Sequence, residues 1–114
     1  MKTYSKEELE NLSNEELENM IIEQLKTVYD PEIPVDIYNL GLIYNIIIDP
    51  KRNVTIEMTL TAPNCPVADG LVEQVRARVA GVPGVNDAQV ELTFDPPWSQ
   101  DFISEEGKLQ LGML

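Results

Sequence analysis

The spacing of apolar residues changes several times along this chain, and each change predicts a different element. Apolar side chains at helical spacing follow Ser13, which opens a capping box. This helix should end by Tyr29, because Pro31 disfavours helical geometry at Asp30. A second helical pattern covers 67–79. The chain is therefore predicted to contain two main helices.

Three other segments have the composition or the polar–apolar alternation of strands: 42–49, 53–60 and 88–94. The order helix, strand, strand, helix, strand predicts an α+β fold. Its economical packing is a small sheet of about three strands, covered on one face by two helices. If the last two strands share that sheet, their crossover should be right-handed and the strands parallel.

The length of 114 residues is that of one domain. We predict an acidic N-terminal extension over 1–12 that contains a short helical turn, and the domain itself over 13–98. The remaining residues, 99–114, are predicted to form a tail that packs on or near the domain, with a weak helix pattern near Ser104.

Charge narrows the range of partners. Twenty acids against eight bases give a formal net charge of −12, which repels nucleic acid phosphates and anionic membranes. No stretch approaches the roughly 20 apolar residues that span a membrane. The charged start of the chain does not resemble a secretory signal, and a single cysteine fits a reducing compartment. A cytoplasmic protein with no nucleic acid or membrane partner is expected.

The single cysteine, Cys65, lies between the second strand pattern and the second helix pattern. Pro66 suits a first helical position, so Cys65 would lie at or beside the N-cap. The positive end of the helix dipole there favours thiolate, which is both a nucleophile and a soft-metal ligand. The alternative is that Cys65 is a small buried hydrophobe.

Several catalytic classes have no residues to support them. Histidine is absent, so the thiol has no obvious base, and no Gly-rich phosphate loop or Cys-x-x-Cys pair is present. We therefore expect a protein that is not an enzyme. Cys65 supplies at most part of the ligand set of a metal site. The other ligands would come from a second chain, a client protein or carboxylates.

Candidate companions of Cys65 lie in two loops that would meet at one edge of the sheet. They combine carboxylates, a hydroxyl and an amide: Asp30, Glu32, Asp36, Thr61 and Asn64. Together with the thiolate they would form a pocket. The alternative is that these are turn residues and strand formers.

Trp98 ends a stiff Asp-Pro-Pro-Trp segment that follows the last strand pattern. The indole either plugs the edge of the core or is exposed as an anchor for a partner, since tryptophan is enriched at interface hot spots.

Four motifs in this order resemble the SufT/PaaD-like iron–sulfur assembly domains: Asp30 to Tyr44 (DPEIPVDIYNLGLIY), Thr59 to Pro66 (TLTAPNCP), Val82 to Val85 (VPGV) and Phe94 to Trp98 (FDPPW). The ending LGML also resembles a frequent C-terminus of the family. The resemblance runs from about Leu17 to the end of the chain.

The resemblance implies a compact domain of the iron–sulfur cluster assembly type, acting as an accessory or targeting factor beside SUF-type machinery. It implies that Cys65 is the reactive cysteine, and that Asp30, Glu32 and Thr61 line the same pocket. A cluster or iron would be bound transiently, and none stably by one chain. Partners would be the assembly machinery and client apoproteins, with a homodimer as a further option. The alternatives are an adaptor whose cysteine is structural, and a maturation factor for one metalloenzyme such as a ring oxygenase.

The helix-start placement predicts that the pKa of the Cys65 thiol lies below the usual value of about 8.5. Alkylation rate measured against pH should rise with a midpoint below that value. A midpoint at or above it would contradict the placement.

Overall fold

The computed structural model describes Glu7 and residues 11–30, 33–61 and 68–113. The described elements, in chain order, are α1 (Asn14–Leu25), β1 (Ile43–Ile48), β2 (Asn53–Met58), α2 (Ala68–Ala80), β3 (Asp87–Leu92), a 3-10 turn (Gln100–Phe102) and α3 (Glu105–Gln110). The predicted order of the main helices and strands is confirmed. Most of the N-terminal extension, for which a short helical turn is predicted, lies outside the described residues.

The start of α1 follows from its cap. The Ser13 hydroxyl accepts a hydrogen bond from the Glu16 backbone N–H at 3.0 Å, which satisfies one of the free donors of the first turn. In the same way, the Ser104 hydroxyl accepts from the Gly107 N–H at 3.1 Å and begins α3. Both helix starts were predicted from serine followed by acidic residues.

The sheet has the strand order β1-β2-β3. β1 and β2 form an antiparallel hairpin whose register shifts between Ile43 and Asn45, as at a β-bulge. β2 and β3 are parallel, as predicted, with Val54 opposite Ala88 and Met58 opposite Leu92. The second strand is shorter than the pattern 53–60, although Leu60 is still buried. The third strand ends at Leu92, before Phe94.

One face of the sheet carries the core. The buried side chains of β2 pack with the apolar stripes of α1 and α2 in one cluster, which includes Leu17, Ile21, Leu25, Val54, Ile56, Met58, Leu71, Val75 and Val79. Burial of this apolar area is the main favourable term in folding. At the end of β3 the apolar face is exposed: Leu92 is 43% exposed, because β3 is an edge strand of the sheet that the described residues form.

The segment that precedes β1 is bound to the C-terminal part of the chain at three consecutive residues. Asn39 accepts hydrogen bonds from Ser104, and the Leu40 carbonyl accepts from the Trp98 indole N–H at 2.7 Å. Gly41 lies against Phe102. We call residues 96–107 the C-terminal strap. Its Ile103 is 5% exposed and belongs to the core cluster.

Gly41 is required by both backbone conformation and space. Its φ is +80°, and a Cβ there would lie 2.3 Å from the Phe102 carbonyl oxygen. Gly41→Ala should lower the free energy of unfolding by at least about 2 kcal/mol, from left-handed strain and displacement of the strap. Urea denaturation measures the change.

The matched control is Gly70→Ala, since Gly70 is an exposed residue of α2 and a Cβ added there would meet no other atom within 4 Å. Alanine there should raise stability by about 0.5–1 kcal/mol, because it is a better helix former. Equal effects of the two substitutions would contradict the contact between Gly41 and the strap.

Candidate functional site

One edge of the sheet gathers the segments that carry the sequence motifs. Because β1 is antiparallel to β2 and β3 is parallel to it, the start of β1 lies beside the ends of the other two strands. The Thr59 N–H donates to the Leu42 carbonyl at 2.8 Å, and the Thr93 N–H donates to the Met58 carbonyl at 2.9 Å. The residues before β1 and those after β2 therefore lie side by side, as predicted.

The proline-containing loop is held closed by short-range hydrogen bonds. The Asp30 carboxylate accepts from the Ile33 N–H at 3.0 Å, and Asp30 is only 8% exposed. Further along, the Ile37 N–H donates to the Val28 carbonyl at 2.9 Å, and Tyr29 forms an isolated antiparallel bridge with Asp36. A carboxylate therefore lies at low exposure in the segment that leads to this edge.

Asp36 caps the turn that follows it. Its two carboxylate oxygens accept from the Asn39 backbone N–H at 3.0 Å and from the Asn39 side-chain amide at 2.8 Å. Asp36 is 3% exposed, so both acceptors are taken up inside the protein. Its membership of the pocket stays a prediction; in the described residues its contacts are those of a structural cap.

Two hydroxyl residues follow the second strand, and they differ in environment. Thr61, a predicted pocket residue, is partly exposed. Thr59 is fully buried, and its Oγ1 has no hydrogen-bond partner in the structure as described. A buried hydroxyl without a partner costs about 1–3 kcal/mol. Sequence reasoning gave no indication that Thr59 is buried, because a threonine in a strand pattern has no local signal of burial.

Tyr44 is a further residue at this edge that sequence reasoning missed. Its hydroxyl donates to the Pro96 carbonyl at 2.8 Å, and its ring meets Phe102 edge to face at 5.9 Å. Partial burial raises the pKa of Tyr44; an interaction with the Thr59 side chain partly offsets that rise, although it falls short of hydrogen-bond geometry. Tyr44 is thus a second anchor of the C-terminal strap.

Trp98 packs against the core as an edge plug. It is partly buried against the core cluster, and its indole N–H is used by the Leu40 carbonyl. Only the rest of the ring surface remains for another molecule. A role of Trp98 in partner binding stays a prediction.

The cysteine motif itself lies largely outside the described residues. Cys65, Asn64 and Glu32 are among the undescribed positions, as is Pro66. The described chain reaches Thr61 at the sheet edge and resumes at Ala68, the first described residue of α2. Within the described ranges, no three Asp, Glu, Cys or His side chains form a group that could hold a metal ion.

Comparison with known proteins decides the family. The sequence profile described as "Iron-sulfur cluster assembly protein" matches residues 18–92. The chain belongs to this family. The resemblance to iron–sulfur assembly domains is thereby confirmed. The match covers three of the four motifs, and the fourth, Phe94 to Trp98, lies just after it.

Individual relatives agree with this assignment. A protein of Porphyromonas gingivalis named "Fe-S protein maturation auxiliary factor" is 55% identical over 78% of this chain and 85% of its own length. The Staphylococcus aureus "Fe-S protein maturation auxiliary factor SufT" is 38% identical over 75% of this chain and 98% of its own length. A crystal structure of a domain of unknown function from Bacillus anthracis superposes with a TM-score of 0.81 at 40% identity, covering 88% of this chain and 95% of that one. The α+β fold predicted from the sequence is shared with that structure.

The buried hydroxyl of Thr59 yields a prediction about stability. Thr59→Val replaces an unpartnered hydroxyl by a methyl group of similar shape, so the free energy of unfolding should rise by about 1 kcal/mol. Thr55→Val is the control, because Thr55 lies in the preceding strand with a partly exposed hydroxyl that accepts from Gln89 at 3.4 Å. It should change stability little. A loss of stability in Thr59→Val would mean that the hydroxyl has a partner.

Proposed function

We propose that this protein is an accessory factor in the maturation of iron–sulfur proteins, and that Cys65 is the residue through which it acts. The observation that carries the proposal is the family match over 18–92, which includes Cys65 and the segments on either side of it. The relatives named as maturation auxiliary factors support the same role. In this role the protein assists assembly and does not catalyse a reaction of its own.

The chemistry follows from having one thiolate in each chain. A cluster or iron ion is the cargo here, and protein-bound clusters commonly have four thiolate ligands. Since the sequence has one cysteine and no histidine, Cys65 holds the cargo with ligands from the client, the assembly machinery or a second copy of the chain. Such a site binds briefly and releases easily. No metal or cluster is held stably by a single chain.

The companions of Cys65 in this proposal are the predicted pocket residues. Asp30 is supported by its low exposure in the loop that leads to the edge, and Thr61 by its position shortly after β2. Glu32 and Asn64 rest on the family motif alone. In this pocket, carboxylates and a hydroxyl would accept or donate hydrogen bonds around the thiolate and its cargo.

The cellular compartment and the partners are inferred from the proposed role in iron–sulfur protein maturation. The partners are the iron–sulfur assembly machinery and client apoproteins, in the cytoplasm. In the ranges that the structure describes, no helix is long and apolar enough to cross a membrane. A single dedicated client, such as a ring oxygenase, is a narrower form of the same function.

The decisive experiment uses a host strain that lacks its own copy of this protein. Wild-type protein should restore the activity of an iron–sulfur enzyme such as a dehydratase, whereas Cys65→Ser should leave it near the level of the deletion strain. Glu18→Gln is the control, since Glu18 is exposed on α1 and distant in sequence from the motifs. Immunoblotting checks that all three proteins accumulate equally.

Full rescue by Cys65→Ser would overturn the proposed role of the cysteine and favour a pure adaptor. In an adaptor, Trp98→Ala should fail to rescue while Cys65→Ser succeeds. The Trp98 variant also loses the hydrogen bond to Leu40, so its urea midpoint must be compared with that of the wild type.

A further inference from the structure

No helix or strand of the described residues covers the face of the sheet opposite the main helices, and the side chains of that face are arranged in rows. Register places Asn45, Glu57 and Glu91 in one row across the three strands. The next row is Ile47, Thr55 and Gln89, and beyond it lie Asn53 and Asp87. Successive rows on one face are two residues apart, or about 7 Å. None of these positions carries a lysine or arginine.

The first row places two carboxylates directly opposite each other. Glu57 and Glu91 are cross-strand neighbours, and like charges in such a pair are destabilising. Glu57 accepts a hydrogen bond from the Asn45 amide at 3.1 Å, and Glu91 from the Gln89 amide at 3.4 Å. Neither glutamate takes part in the ion pairs of the described chain, which join Glu23 with Lys26 and Glu73 with Arg76.

The middle row contributes the apolar side chain of this face. Ile47 is 44% exposed and lines an open depression of about 350 Å³, together with Asp49, Asn53, Thr55, Asp87 and Gln89. An isoleucine between acidic positions offers an apolar contact flanked by negative charge.

The end of the face near the turn between β1 and β2 is also acidic, and its carboxylates, Asp49 and Asp87, interact with other groups of the chain. Hydrogen bonds from Asn53 and Lys51 hold the pKa of Asp49 below its usual range, so this group stays charged within the turn. Asp87 lies in the field of Arg76, whose pKa is raised mainly by its hydrogen bond to Glu73 and slightly by Asp87. Asp49 and Asp87 therefore add negative charge at this end of the face, and Glu57 with Glu91 supplies it at the other end.

We propose that this uncovered face, the rows from Asn45 to Asp87 on β1, β2 and β3, docks a basic segment of a partner protein. Charge complementarity identifies the occupant: an extended segment that presents one cationic side chain to the row of Glu57 and Glu91, an apolar side chain to Ile47, and a second cationic side chain to the end of the face that carries Asp49 and Asp87. Spacing of about 7 Å between rows suits alternate residues of an extended strand. The docking surface is independent of Cys65 and lies on the sheet face, not at its motif-bearing edge.

The test uses a synthetic peptide, acetyl-Ser-Lys-Ser-Val-Ser-Lys-Ser-amide, which carries two lysines and one valine on the same side when extended. Titration should shift the amide NMR signals of Thr55, Glu57, Gln89 and Glu91, and added salt should weaken binding. The double variant E57Q/E91Q should bind about fivefold more weakly, as expected for the loss of one surface interaction between a lysine and a pair of carboxylates.

Two controls separate docking from general attraction to an acidic protein. The variant E15Q/E18Q removes the same charge from exposed positions of α1 and should bind as the wild type does. E57Q/E91Q should also show a higher urea midpoint, because the repulsion between the two carboxylates is gone, so weaker binding cannot come from unfolding. Equal weakening by both double variants, signal shifts confined to the helices, or no binding at millimolar peptide would each overturn the proposal.

Discussion

The hydrogen bonds of Asn39 hold together the part of this molecule that bears its motifs. Asn39 is 6% exposed and is bonded on two sides: it donates to Asp36 from its backbone and side-chain nitrogens, and it accepts from the Ser104 hydroxyl at 2.7 Å and backbone N–H at 2.8 Å. Polar groups this deep stabilise a fold only when their bonds are complete, and removing one partner leaves the other unpaired. The loop before β1 and the C-terminal strap are therefore one unit. Gly107 allows this approach, since a Cβ there would lie 3.0 Å from the Asn39 carbonyl oxygen.

This unit lies at the sheet edge where the residues before β1 are next to those after β2. An antiparallel β1 and a parallel β3 on either side of β2 place one strand start and two strand ends at the same edge. Two hydrogen bonds hold the strap beside this edge. The Trp98 indole N–H donates to the Leu40 carbonyl, and the Tyr44 hydroxyl donates to the Pro96 carbonyl. Within the described residues, the two main helices pack on one face of the sheet and leave the other face open. The fold thus presents two separate surfaces, an edge with buried and half-buried polar groups and a polar face with acidic rows.

The elements were predictable because their signals are local. A serine followed by glutamates predicts a helix start, and alternation predicts the inner side of β2, where Val54, Ile56 and Met58 are all buried. The pairing of Asn39 with Ser104 was not predictable, because the residues are 65 positions apart and neither carries a local signature of the contact. The same applies to the Trp98 indole: the sequence left two interpretations open, and only the Leu40 carbonyl accounts for its orientation. At the site, Asp30 and Asp36 were both predicted to line a pocket with Cys65. The sequence did not distinguish a residue that caps a turn from one that faces a pocket, since both are acids near prolines.

The proposed cargo residue, Cys65, and the proposed acidic docking face would complement each other in an assembly factor. A cargo site with one ligand per chain binds weakly, so the encounter with a client has to be prolonged by other contacts if transfer is to occur before release. A separate docking surface does this, because once it is occupied the thiolate and the client's ligands meet at a high effective concentration. The charges at Glu57 and Glu91 reduce the stability of the isolated sheet, and that cost is offset only when a cationic partner lies against them. In this proposal, weak cargo binding would favour release to the client, while the sheet face would select which client is held.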